Sequence, residues 1–226
     1  MKVYAHRGAS AEASENTLRA FGLALDLGAD GIELDVRLSA DGVPVVLHDE
    51  GLDRTTTGTG AVREYTVAEF RRLDAGSGQT VPTLAEVIEL VSERALLDVE
   101  IKSSDAGPAT FAALSGIDFD SWAISSFDWN VLRSLRAMSQ RVELWPLTHE
   151  VTAEALQLAQ EIGAPMLAVY HLGINAQVVE WARECGIELM VWTVNDRVRA
   201  HELGQLGVNA VCTDDPRSIR SIVEAT

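Results

Sequence analysis

The chain has 226 residues, 47% of them hydrophobic, enough for a sizeable core in one large domain or two small ones. Its 18 basic and 34 acidic residues leave a net charge of −16, a surface that repels nucleic acid and anionic lipid, so neither is expected as a partner. Cys185 and Cys212 match neither a disulfide framework nor a zinc spacing and read as reduced thiols of a cytoplasmic protein.

The N-terminal stretch Val3-Tyr4-Ala5-His6 opens a strand with no charged-then-apolar leader before it, so no signal peptide is expected. The longest uncharged stretch, Ala164 to Val179, contains Pro165, His171, Asn175 and Gln177. It is not a membrane span, and no stable membrane association is expected.

Strand-like segments fall at 2–6, 31–37, 43–47, 95–101, 122–126, 143–148, 165–169, 188–193 and 210–213. Amphipathic helical patterns fill 17–27, 83–93, 107–115, 128–138, 152–162, 175–184, 196–205 and 216–224. Strand followed by helix, repeated, predicts a parallel sheet wrapped by helices. Segments 31–38 and 43–48 are joined only by Ser39-Ala40-Asp41-Gly42, too short for a parallel crossover, so they form an antiparallel hairpin. A two- or four-residue loop would set His48 opposite Glu33. Setting the second hairpin strand aside leaves eight parallel strands, a (β/α)₈ TIM barrel in a single domain. Residues 49–80 break the rhythm and read as a small insertion over the barrel mouth, after the second barrel strand.

Polar groups collect at the strand C-terminal ends, the face on which such barrels carry their sites. Residues two apart in a strand share a face, so Glu33 pairs with Asp35 and Glu100 with Lys102. Carboxylates flanked by Ile32, Leu34, Val99 and Ile101 are costly to bury unpaired, which favours a shared hard cation over three separate ion pairs. His6 and His48 beside that cation are a candidate acid and base. Arg7 and Lys102 supply local positive charge for an anion, and Gly8 would let backbone approach a ligand. Trp192 serves either as barrel filling or as an apolar wall for substrate. Ser14 or Asn16 reads as a helix N-cap, and Thr55 to Gly60 as a loop, since it lacks the lysine and helix start of a phosphate loop.

Taken together, His6-Arg7-Gly8, Glu15-Asn16-Thr17, Glu33-Leu34-Asp35-Val36, Leu47-His48-Asp49, Leu52-Asp53-Arg54-Thr55-Thr56, Glu100-Ile101-Lys102 and Trp192-Thr193-Val194-Asn195 resemble the glycerophosphodiester phosphodiesterases, in family order over nearly the whole chain. Ser14 stands where the family usually has proline. The resemblance implies the barrel with its insertion, here a short one at 49–80. It implies Mg²⁺ or Ca²⁺ held by Glu33, Asp35 and Glu100, His6 and His48 as the acid–base pair, and Arg7 and Lys102 on the phosphate. The implied reaction is hydrolysis of a small-molecule glycerophosphodiester to glycerol 3-phosphate and an alcohol. A relative acting on lysophospholipids or sugar phosphodiesters, or a non-catalytic binder of the same ligand, are the alternatives. Oligomeric state has no signal in the sequence.

Overall fold

The computed structural model describes residues 1–117 and 121–223, and all statements of number or absence below concern those residues. The chain runs β1 (Lys2–His6), α1 (Leu18–Asp26), β2 (Gly31–Leu38), β3 (Pro44–Val46), α2 (Val67–Phe70), α3 (Leu84–Val91) and β4 (Leu96–Ile101). It continues α4 (Gly107–Ser115), β5 (Trp122–Ser126), α5 (Trp129–Met138), β6 (Leu144–Thr148), α6 (Ala153–Glu161) and β7 (Met166–Tyr170). It closes with α7 (Ala176–Glu184), β8 (Glu188–Trp192), α8 (Arg197–Leu206), β9 (Ala210–Thr213) and α9 (Pro216–Val223). Residue 224, the last of the expected final helix, lies outside the described residues.

Neighbouring strands follow the order β1-β9-β8-β7-β6-β5-β4-β2, all parallel, and β1 pairs with β2 to close the ring: a (β/α)₈ barrel. Alternation along the strands separates two cores. Tyr4, Ala123, Trp145, Met166, Ala168, Met190, Ala210 and Cys212 fill the barrel, while Val3, Ile32, Leu34, Val99, Leu167 and Val211 point outward into the helical shell. No helix is long and apolar enough to cross a membrane.

Six helices start one residue later than their apolar pattern. The residue left outside is in each case a cap whose side chain accepts a backbone N–H: Thr17, Thr83, Asp128, Thr152, Asn175 and Asp196. Thr17, not Ser14 or Asn16, caps α1, which corrects the expectation.

The hairpin exists, but its register is one position from that expected. Val36 faces Val46 and Leu38 faces Pro44, and pairing stops before His48. The cause is the turn. Ser39 N–H donates to Val43 O at 3.0 Å and Gly42 N–H to Ser39 O at 3.0 Å, with Gly42 at φ 77°, so three residues close the loop rather than two or four. β2 is long enough to serve two partners. Tyr4 to His6 flank its lower end at Gly31 to Glu33, and β3 takes the edge from Val36 to Leu38.

The 49–80 excursion has an apolar cluster of its own, Leu52, Val62, Phe70, Ala75 and Val81 with Val45 and Leu47. A capping box between Thr66 and Glu69 starts the four-residue α2. The exit is tied to the entry, with Val46 N–H donating to Pro82 O at 2.8 Å and a bridge between Val45 and Thr83.

Candidate active site

His6 ends β1, and the chain turns at once through Arg7 and Gly8, both at positive φ (58° and 82°). Gly8 is required by packing: a Cβ there would lie 2.6 Å from the Ala20 carbonyl carbon of α1. The turn is pinned by Arg7 N–H, which donates to Glu33 O at 3.0 Å and to Glu33 Oε2 at 2.9 Å.

Each histidine is gripped by a carboxylate. His6 Nδ1 lies 2.6 Å from Asp214 Oδ1, and Asp214 also accepts from Ser10 Oγ at 3.0 Å and Asn195 Nδ2 at 2.6 Å. Burial works against the Asp214 charge, yet these donors outweigh it and bring its pKa down to about 2. His48 Nδ1 lies 2.6 Å from Asp49 Oδ1. An ionised carboxylate only accepts, so Nδ1 carries the proton in both rings and Nε2 is left for chemistry. Burial lowers the His48 pKa, against the pull of Asp35 and Asp49.

The acids come from two adjacent strands. Asp35 sits beside Glu100 and Glu33 beside Asp98 in the β2–β4 register. Glu33, Asp35 and Glu100 each bring an oxygen to within 4.8 Å of the others, all three residues buried. Asp98, 1% exposed, is a fourth acid on the same strand face and accepts from Ser125 Oγ at 2.6 Å. Burial first, then mutual repulsion, holds Glu33 well above its ordinary pKa and raises Asp98 and Glu100 to about 7. Lys102 Nζ relieves part of this, 2.7 Å from Glu100 Oε1 and 3.6 Å from Asp35 Oδ1, as does Arg7 Nε at 3.2 Å from Asp35 Oδ2. Asn16, at φ 57°, donates from Nδ2 to Asp35 Oδ2 at 2.8 Å. Asp35 Oδ1 remains buried with no hydrogen-bond partner among the described residues. An all-oxygen set with an unsatisfied buried carboxylate oxygen fits a hard divalent cation.

His6, Arg7, Glu33, His48, Glu100, Lys102 and Trp192 line one cavity of about 310 Å³, and Asp35 joins it through the carboxylate cluster. The wall across from the acids is aromatic. Trp192 packs at 5.6 Å from Phe127, 5.5 Å from His149 and 5.4 Å from Tyr170, ring centre to ring centre. His149 is thus a member of this wall, stacked 5.2 Å from Phe127, whereas His171 packs edge-on against Tyr170. Sequence reasoning gave no site role to Asp98, Asp49, Asn16 or the Glu15–Arg54 pair, and placed Asp214 on the active face without a partner. Asp98 had a readable signal, since Asp98, Glu100 and Lys102 alternate on one strand face.

The sequence profile of the Glycerophosphoryl diester phosphodiesterase family matches residues 6–218. The glycerophosphodiester phosphodiesterase of Caldanaerobacter subterraneus subsp. tengcongensis is 36% identical over 98% of this chain and 97% of its own length. A phosphodiesterase of Oleispira antarctica, solved in complex with the product sn-glycerol-3-phosphate, superposes with a TM-score of 0.94 at 30% identity, over 99% of this chain and 97% of that one. The Thermotoga maritima glycerophosphodiester phosphodiesterase superposes with a TM-score of 0.84 at 32% identity, over 99% and 97%. The chain belongs to the glycerophosphoryl diester phosphodiesterase family, and its activity is the hydrolysis of glycerophosphodiesters.

Proposed function

We propose that one domain, residues 1–226, hydrolyses glycerophosphodiesters to glycerol 3-phosphate and an alcohol with His6 and His48 as its acid–base pair. The observation that carries this reading is the pair of carboxylate-held histidines on the cavity that also holds the buried acids. Glu33, Asp35 and Glu100 would hold Mg²⁺ or Ca²⁺, since oxygen donors without thiolate or imidazole suit hard cations. When bound, the ion offsets phosphate charge and polarises phosphorus toward attack. Arg7 and Lys102 bind the phosphate oxygens. One histidine takes the proton of the glycerol hydroxyl next to the phosphoester, and that oxygen attacks phosphorus. The other histidine protonates the departing alcohol. Water then opens the cyclic phosphate, with the histidines exchanging roles. A tethered hydroxyl is a strong choice of nucleophile, because good orientation can contribute as much as ~7–11 kcal/mol. The Oleispira relative with its bound product supports the product assignment.

Trp192 and its aromatic neighbours would flank the bound diester. Free Cys185 and Cys212 support a cytoplasmic protein, the net charge of −16 supports small-molecule diesters rather than nucleic acid or membranes as partners, and the proposed substrate places the reaction in lipid and glycerol metabolism. Phosphorus NMR tests the reaction. Glycerophosphocholine and glycerophosphoethanolamine should both yield glycerol 3-phosphate, and an analogue lacking the 2-hydroxyl should resist. Efficient cleavage of that analogue would exclude the cyclic route and leave direct attack by water.

A further inference from the structure

Arg54 lies in the 49–80 excursion, yet its guanidinium grips two acids of the site. Nε and Nη2 donate to Asp49 Oδ2 and Oδ1 at 2.5 and 3.0 Å. Nη1 and Nη2 donate to Glu15 Oε2 and Oε1 at 2.8 and 2.9 Å. Both forks are bidentate, a geometry a lysine cannot reproduce. Each acid has a second partner. Asp49 holds His48 Nδ1 at 2.6 Å, and Glu15 holds Arg7 Nη1 at 2.8 Å. One side chain therefore joins the supports of a histidine and of a phosphate-side arginine that come from different loops.

The mounting is firm. Thr56 N–H and Thr56 Oγ1 both donate to Leu52 O, at 3.0 and 2.9 Å, closing the turn that carries Arg54. Leu52 is fully buried in the excursion's own core. The Arg54 side chain is itself 47% exposed. Exposed ion pairs add little to folding stability, so the double fork acts on position rather than on stability. Burial alone would lift the Glu15 pKa; the hydrogen bonds from Arg54 and Arg7 outweigh it and hold the group below its ordinary value. With the guanidinium gone, Asp49 and Glu15 would repel each other, and each would hold its partner without a common brace.

We infer that Arg54 is a positioning residue through which the excursion sets His48 and Arg7 in a common frame; this rests on the roles proposed above for those two residues. The test is steady-state kinetics on glycerophosphocholine with Arg54→Ala, Arg54→Lys, Asp49→Asn, Glu15→Gln and the double variant Arg54→Ala/Asp49→Asn. Arg54→Ala should lower kcat about 10- to 100-fold and raise KM, as misplacement of about 1 Å can do. Its thermal midpoint should stay within about 2 °C of wild type. Asp49→Asn should act mainly on kcat and Glu15→Gln mainly on KM. The double variant should be no slower in kcat than Asp49→Asn alone, since one linkage is broken twice. Arg54→Lys should stay impaired several-fold. Arg54→Ala within twofold of wild type, multiplying losses in the double variant, or full rescue by lysine would each overturn the inference. His48→Ala and Arg7→Ala separate the two levels: turnover retained in them sinks the parent roles, whereas turnover lost in them but kept in Arg54→Ala sinks only this inference.

Discussion

The two histidines are held by the same chemistry on two unlike supports. His6 meets an aspartate 208 positions away, at the end of the last strand, and Ser10 from the loop after His6 and Asn195 from the loop after β8 brace that carboxylate. His48 meets its immediate neighbour, and the brace comes from the excursion through Arg54. The first pair is thus a product of barrel closure. The second is a local pair made rigid by an added segment. One site can draw matched groups from the scaffold and from its decoration, provided each ring is fixed through Nδ1.

The comparison can be broken from the side both pairs share. Removing divalent cation with a chelator should abolish turnover, whichever pair is intact, and Mg²⁺ or Ca²⁺ should restore it; full turnover of metal-free protein would disprove the cage. Glu33→Gln, Asp35→Asn and Glu100→Gln should each weaken metal binding in calorimetry while the barrel still folds. Next in size, His6→Ala and His48→Ala should each lose about 10²–10⁴-fold in kcat with metal affinity kept, because each ring serves a different proton. Near-normal turnover in either would remove it from the pair.

The aspartates sharpen the contrast. Asp214→Asn and Asp49→Asn should both slow turnover on the order of 10²-fold, since each mis-sets a ring. Only Asp214→Asn should also lower Tm, by about 2–4 °C, as expected for about 1 kcal/mol after discounting its partial exposure. Equal Tm losses would mean that the supports do not differ as described.

A pH profile of stability tests the acids that both pairs face. Asp98 and Glu100, raised to about 7, bind more protons folded than unfolded across the interval above their ordinary values, and Glu33 shifts the same way. Metal-free protein should therefore lose stability as pH rises from about 4.5 to about 7. His48 and His171, both lowered by burial, oppose this, but as two groups against three. Asp214 has the reverse sign: its contribution is present above the ordinary aspartate value and is lost as pH falls toward about 2. Saturating Mg²⁺ should flatten the upper slope, because the ion holds the acids ionised. Calorimetric scans from pH 4 to 8 with and without Mg²⁺ check it, and a slope untouched by Mg²⁺ would speak against binding at these acids.

The barrel was legible in the chain because alternation and amphipathic periods report which face each residue takes. Glu33, Asp35, Glu100, His6 and His48 were legible for the same reason, as polar groups at strand ends. Long-range partners were not. Nothing local ties Asp214 to His6, and Asn16 looked like a cap because the αL turn that aims it at Asp35 is a tertiary outcome. The hairpin register slipped by one because Asp41-Gly42 serves three-residue as well as two-residue turns, and only the backbone distinguishes them.

The excursion leaves the barrel and returns at the same seam, where Val45 bridges Thr83 and Val46 bonds Pro82. A segment whose two ends meet is exchangeable. Each doubling of its length costs only about 0.6 kcal/mol of closure entropy, and no barrel strand needs rethreading. Substrate range in this scaffold should therefore be open to grafting: longer segments transplanted between Asp49 and Val81 could roof the cavity for bulkier alcohols. The graft has one constraint, a guanidinium delivered to the place that Arg54 now fills.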